Sequence, residues 1–192
     1  MSAIRSAMLG AVLMASVGAA PAVAQGGARF SVGGGLTVPL SDFADAVGTG
    51  FHGLAAVGFQ PANFPIGIQV DGMFQRFGVD DDPVFGDVDA NFRFLQGTAN
   101  AVYTFQTSPD SKVRPYLIGG VGLYNAKVTG DDVIGDPESE TDFGINAGAG
   151  FDFTAGAVGI FVEGRFHNVF SDPDNTNFIP ITVGVRFGGS GS

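Results

Sequence analysis

Apolar and polar residues alternate one by one along segment after segment of this chain, and no apolar period of 3.6 residues is sustained over a useful length. Period two is the signature of strands with one apolar face. In the last such segment Ile179, Ile181, Val183, Val185 and Phe187 share one face, and Pro180, Thr182, Gly184 and Arg186 share the other. Near 160, Val158, Ile160, Val162, Gly164 and Phe166 oppose Gly159, Phe161, Glu163, Arg165 and His167. Near 145, Phe143, Ile145, Ala147, Ala149, Phe151 and Phe153 oppose Gly144, Asn146, Gly148, Gly150 and Asp152. Near 30, Phe30, Val32, Gly34, Leu36 and Val38 oppose Arg29, Ser31, Gly33, Gly35 and Thr37. Segments at about 51–60, 65–77, 91–106 and 113–128 fit less cleanly and bring the total to eight. In 65–77, Ile66, Ile68, Val70 and Phe74 oppose Gln69, Asp71 and Gln75. In 91–106, Phe92 and Phe94 have opposite parity to Ala99, Ala101 and Tyr103, which predicts a β-bulge near Leu95.

The connections alternate in length. Pro61–Phe64, Thr107–Lys112 and Ala155-Gly156 are short; 39–50, 78–90, 129–141 and 168–177 are longer. The long ones occupy every other connection, so all four emerge from one end of the sheet. They and their edges hold 15 of the 19 carboxylates, and only Asp71, Asp110, Asp152 and Glu163 lie elsewhere. The net charge of −10 therefore belongs to one acidic end and not to the sheet.

A bilayer requires every backbone N–H and C=O to be paired within the protein, and a closed antiparallel barrel with an even strand count satisfies this. Spanning strands need about 9–11 tilted residues, and these segments have that length. The strand charges Asp71, Asp152, Glu163, Arg165 and Arg186 lie opposite the apolar face, where a lumen would hold them. Short turns at one end and long loops at the other fit a membrane barrel. Phe30, Phe59, Tyr103, Phe105, Phe151, Phe153 and Phe187 fall at the short-turn ends. Phe51, Phe74, Phe77, Phe92, Phe94, Phe143, Phe166 and Phe178 fall toward the loop ends. That predicts two aromatic belts at the membrane interfaces. The expected fold is all-β, an eight-stranded antiparallel up-and-down transmembrane β-barrel. A soluble up-and-down barrel would point its apolar face inward, but it would show Lys and Glu along its outer face, and the segments carry almost none.

Arg5 is the only charge in the first 28 residues, and the apolar or small stretch Ala7–Ala20 leads to Ala22-Val23-Ala24. This is the pattern of a cleaved signal peptide, with an apolar core too short to span a membrane. The expected organisation is a signal peptide over 1–24, a barrel domain over 25–187 and a Gly/Ser tail over 188–192. Zero Cys excludes disulfides, thiolate metal sites and a Cys nucleophile. The acidic balance argues against nucleic acid. Gly is 31 of 192 residues and Phe 19, with no every-third-residue glycine period.

Four stretches carry a family resemblance: Phe30-Ser-Val-Gly-Gly-Gly35, Arg114-Pro-Tyr-Leu-Ile-Gly-Gly-Val-Gly-Leu-Tyr124, Asn146-Ala-Gly-Ala-Gly-Phe-Asp152 and Ile181-Thr-Val-Gly-Val-Arg-Phe187. In their order and spacing the chain resembles the bacterial outer-membrane β-barrel domain family, the eight-stranded relatives of the outer membrane protein A transmembrane domain and of opacity-type proteins. The resemblance covers about 29–187. It implies an outer-membrane location, with outer-membrane lipid or lipopolysaccharide and the barrel-assembly machinery as partners. In that family a closing Phe resembles the signal the assembly machinery reads, and Phe187 fits that role, although Gly188–Ser192 follow it. A monomer is the expected state.

Asp71, Asp152, Glu163, Arg165 and Arg186 form the candidate site, read as a paired lumen network, because eight strands leave an interior just filled by side chains. A gate or substrate path is the alternative. His167 and Ser171 near Glu163 offer the residue types of a hydrolase, but no His-x-Ser spacing or G-x-S-x-G motif accompanies them. His52 reads as a rim residue. The Asp80–Asp82 run and the 131–142 cluster lack the spacing of a calcium loop, and Gly48–Gly53 matches G-x-G-x-x-G ahead of a strand, where a phosphate cradle has no helix to use. No enzyme activity, cofactor or metal is expected. The functional expectation is a structural or surface-interaction barrel with extracellular acidic loops; the alternatives are a porin-like conduit and a lipid-modifying enzyme.

Overall fold

The computed structural model describes residues 27–61, 64–78, 90–108, 110–130, 139–155 and 158–188. Eight strands follow one another: β1 Ala28–Leu40, β2 Gly50–Phe59, β3 Ile66–Gly78, β4 Ala90–Thr104, β5 Val113–Gly130, β6 Glu140–Ala155, β7 Val158–Val169 and β8 Thr176–Gly188. One short helix, α1, spans Asp42–Ala46 in the first long connection. Each strand pairs antiparallel with the next, and β1 pairs with β8, so the sheet closes without an edge. Closure leaves no row of unpaired backbone groups.

The sense of the alternation is that of a membrane barrel. Outward positions are apolar and open: Leu36, Ile68, Leu123 and Val183 are all more than half exposed. Inward positions are polar and closed: Asp71, Gln75, Thr98, Asn100, Asn146, Glu163 and Arg165 are buried. A soluble barrel would show the reverse. This settles the inside-outside question that alternation alone leaves open.

Two expectations are corrected. There is no bulge near Leu95: β3 and β4 stay in one register from Ile66↔Tyr103 to Gly78↔Asn91, and β4 and β5 from Ala90↔Gly130 to Thr104↔Tyr116. Phe94 points into the lumen while Leu95 faces out, so the parity never changes. The loop-end aromatic belt is also smaller than expected. Phe51, Phe74, Phe143 and Phe166 face outward, but Phe77, Phe94 and Phe178 are fully buried inside the barrel. A Phe satisfies either face, so its parity does not reveal which one it occupies. At the short-turn end the belt holds, with Phe59, Tyr103, Phe105, Phe151, Phe153 and Phe187 all exposed.

The expected signal peptide, the tail beyond Gly188, Gly156 of the Ala155-Gly156 turn and most of the acidic loop residues (Asp80, Asp81, Asp82, Asp87, Asp89, Asp131, Asp132, Asp136 and Glu138) lie outside the described residues.

Candidate functional site

The five predicted lumen charges meet in one chain of contacts. Arg165 on β7 donates to Asp71 on β3 at 2.9 Å and to its own-strand neighbour Glu163. Arg186 on β8 pairs with Asp152 on β6. Tyr116 on β5 joins the two halves: its hydroxyl donates to Glu163 at 2.8 Å and accepts from Arg186 at 3.2 Å. The Arg186 guanidinium also lies over the rings of Tyr116 and Phe161, 4.9 and 4.6 Å from their centroids, a cation–π arrangement. Asp71 accepts further hydrogen bonds from Gln69, Thr98 and Asn100, so its lone pairs are well occupied. Buried charges persist only where partners replace water.

Toward the loop end the lining becomes neutral. Thr37 donates to Gln75, Gln75 donates to Gln96, and His52 sits between the hydroxyls of Thr37 and Thr182 at 3.0 and 2.8 Å. His52 is thus a buried lumen residue and not a rim residue. Above this layer Val47, Phe77, Phe94, Tyr124, Val169 and Phe178 form an apolar cluster inside the mouth. Phe43, carried on α1, packs edge-on against Phe77, Phe92 and Phe94. The first long connection therefore folds back over the mouth and plugs it. At the short-turn end a pocket of about 30 Å³ lies among Arg29, Ser31, Gln69, Asp152 and Arg186, room for a water molecule or two.

Glycines make this filling possible. Tyr116 lies directly over its cross-strand partner Gly150, and Phe161 lies over Gly184. A Cβ at Gly184 would come within 2.5 Å of the Phe161 ring, and one at Gly148 within 2.8 Å of the Arg165 side chain. Large inward side chains on one strand thus occupy the space left by glycine on the next, as a closely packed interior demands.

The hydrolase-like trio is not assembled. Glu163 is held by Tyr116 and Arg165. His167 shares a 2.8 Å hydrogen bond with Tyr124 and stacks on Phe178. Ser171 meets Thr176. Among the described residues no group of three or more His, Asp or Glu stands close enough to hold a metal ion.

Sequence reasoning missed Tyr116, whose partner is 47 residues away. The available signal was parity: Tyr116 shares its face with Gly120, Gly122 and Tyr124, the glycine-rich inward face of β5. It also missed the outward cations Arg76, Arg93 and Lys127, which sit at the loop ends of β3, β4 and β5.

A closed eight-stranded barrel with an apolar exterior, a filled polar interior and strands of spanning length is a transmembrane barrel of the bacterial outer membrane. The model of the outer membrane protein beta-barrel domain family matches residues 9–187, and the chain belongs to that family. Its fold is similar to that of Neisserial surface protein A, with a TM-score of 0.64 at 20% identity over 84% of this chain and 96% of that one. It is also similar to Ail, the attachment invasion locus protein of Yersinia pestis, at a TM-score of 0.52 and 19% identity over 84% and 99%. The N-terminal β-barrel domain of Pseudomonas aeruginosa OprF aligns at 0.50 and 16% over 84% and 98%. No curated protein matches the chain by sequence.

Proposed function

We propose that this protein is a monomeric structural and surface-interaction barrel, not a solute conduit and not an enzyme. The observation that carries this reading is the filled lumen. An ion network linked through Tyr116 occupies one half, and the Phe77–Phe94–Phe178 cluster under Phe43 closes the other. A path for solutes would need both layers to move, and each is held by several partners. What remains for interaction is the outer surface and the loop end, where most of the acid in the sequence is gathered. The attachment named for the Yersinia pestis relative is a role of this kind on the same fold. The separate pairings of Glu163, His167 and Ser171 argue in the same direction against catalysis.

Planar-bilayer recording of the refolded full-length barrel tests the reading. No discrete conductance steps are expected; reproducible steps would establish the conduit instead. Alanine substitution of His167 and Ser171, followed by analysis of lipid A in the host membrane, tests the enzymatic alternative. Unchanged lipid A in wild type and variant is the expected result.

A further inference from the structure

The described strands carry three outward cations, and all three stand in one row. Arg76 on β3 is the cross-strand partner of Arg93 on β4, and Arg93 is the partner of Lys127 on β5. The other strand cations, Arg29, Arg114, Arg165 and Arg186, lie on the inward face. Directly opposed residues on one face of an antiparallel pair have Cβ atoms about 4.5–5.5 Å apart, and like charges so placed repel. Two adjacent repulsive pairs, with only neutral side chains such as Asn91 and Asn125 beside them among the described residues, call for an anion between them. Among the described residues no carboxylate forms an ion pair with any of the three. Arg76 Nε donates to Asn91 at 3.1 Å, and its two Nη atoms have no partner among the described residues.

The height of the row defines the environment. Ile66, Tyr103 and Leu117 align across β3, β4 and β5 at the short-turn end, and Arg76, Arg93 and Lys127 align ten residues further along each strand. Ten residues at about 3.3 Å, tilted by about 40°, rise roughly 25 Å, the height of a barrel's apolar band. One step toward the membrane centre the same face carries Phe74, Leu95 and Asn125, whose amide is bonded to Thr141 on β6, and one step toward the loops it carries Asn91. The row therefore sits where acyl chains give way to headgroups, at the long-loop end, which in this class faces outward. Arginine pairs with phosphate in a bidentate fork, and lysine adds a point charge.

We infer that Arg76, Arg93 and Lys127 form a binding site for the phosphate of a phosphorylated glycolipid in the outer leaflet, with Phe74 and Leu95 beneath it against the acyl chains. The inference rests on the outer-membrane location and not on the absence of conductance or catalysis, so the two readings fail separately. In the sequence the acidic connections 79–89 and 131–138 adjoin these strands, and neutralisation of the row by them is the competing outcome.

Native mass spectrometry of the refolded full-length barrel in detergent, with bisphosphorylated lipid A as probe, tests the site. Each cation near a charged membrane surface is worth about a fivefold change in affinity, so Arg93→Gln should weaken binding about fivefold and the triple change Arg76→Gln/Arg93→Gln/Lys127→Gln by more than tenfold. The pair Arg76→Lys/Arg93→Lys keeps the charge but loses the forks and should fall between wild type and the triple variant, and Lys112→Gln at the opposite end should leave binding unchanged. Heat-modifiable gel migration checks that each variant is folded. Dephosphorylated lipid A should bind weakly, and millimolar inorganic phosphate should not displace the lipid. Equal binding of both lipids, full binding by the triple variant, or binding abolished by chelator, which would place it on cation-bridged acidic loops, each overturns the assignment.

Discussion

Arg165 and Asp71 form an ion pair across the full width of the barrel, from β7 to the strand on the opposite side, β3, at 2.9 Å. Both side chains are almost wholly buried, and Arg165 holds Glu163 as well. Removing the shared cation leaves two buried carboxylates with neutral hydrogen-bond donors but no counter-ion. Arg165→Met is therefore expected to cost about 3–5 kcal/mol. The triple change Arg165→Met/Asp71→Asn/Glu163→Gln removes the charges together and should recover most of that loss. Urea unfolding in lipid vesicles measures both. A single variant within about 1 kcal/mol of wild type would mean that the pair does not hold the barrel together.

The glycine contacts predict a sharp contrast between two positions. Gly150 faces inward beneath Tyr116, and Gly164 faces outward with nothing near its missing side chain. Gly150→Val has to displace the ring that links Glu163 to Arg186 and should destabilise by about 1–3 kcal/mol through overpacking. Gly164→Ala should stay within about 0.5 kcal/mol. Equal effects at the two sites, read from the same unfolding curves, would contradict the large-over-small packing of the lumen.

These positions also mark how far the sequence can be read. The strands were legible because a lipid-facing barrel wall has to alternate, and the lumen charges were legible because a bilayer forbids them outside. The aromatic residues were legible at the short-turn end and only in part at the loop end. Phe94 satisfies either face, so its parity suggested a bulge where the register of β4 is unbroken. The same ambiguity put Phe77 and Phe178 in a belt when they form the plug. Tyr116 was overlooked because its meaning depends on Glu163 and Arg186, on strands it reaches only across the closed interior. The row of Arg76, Arg93 and Lys127 exists only once the register of β3, β4 and β5 is known.

The outward face should be sensitive to charge by height. Val70 lies mid-strand on β3 and is half exposed, whereas Gly78 ends that strand on the same face beyond the cationic row. Val70→Arg places a cation in the middle of the apolar band and should cost about 2–4 kcal/mol in lipid vesicles. Gly78→Arg lies at the interface and should cost about 0–1 kcal/mol. The difference should shrink when unfolding is followed in short-chain detergent, where the apolar layer is thinner and deformable. A flat response along β3 would be inconsistent with a membrane around this face.

Phe187 separates folding from assembly. Its ring is almost half exposed at the short-turn end and stacks on Phe30 with centroids 6.0 Å apart. The ring belongs to neither buried core cluster and faces lipid or detergent, so Phe187→Ala should still refold in detergent, with a loss of about 1–3 kcal/mol from the ring's transfer out of water and its aromatic pair. If the closing Phe is what the barrel-assembly machinery reads, the same variant should accumulate unassembled in cells and reach the outer membrane several-fold less than wild type. Phe30→Ala removes the same stacking contact from the other side without touching the signal, and it should assemble normally. Comparable membrane levels for Phe187→Ala and Phe30→Ala would assign Phe187 a packing role alone. A defect confined to Phe187→Ala, with refolding in vitro intact, would place its function in recognition, because the contact the two residues share is lost equally in both.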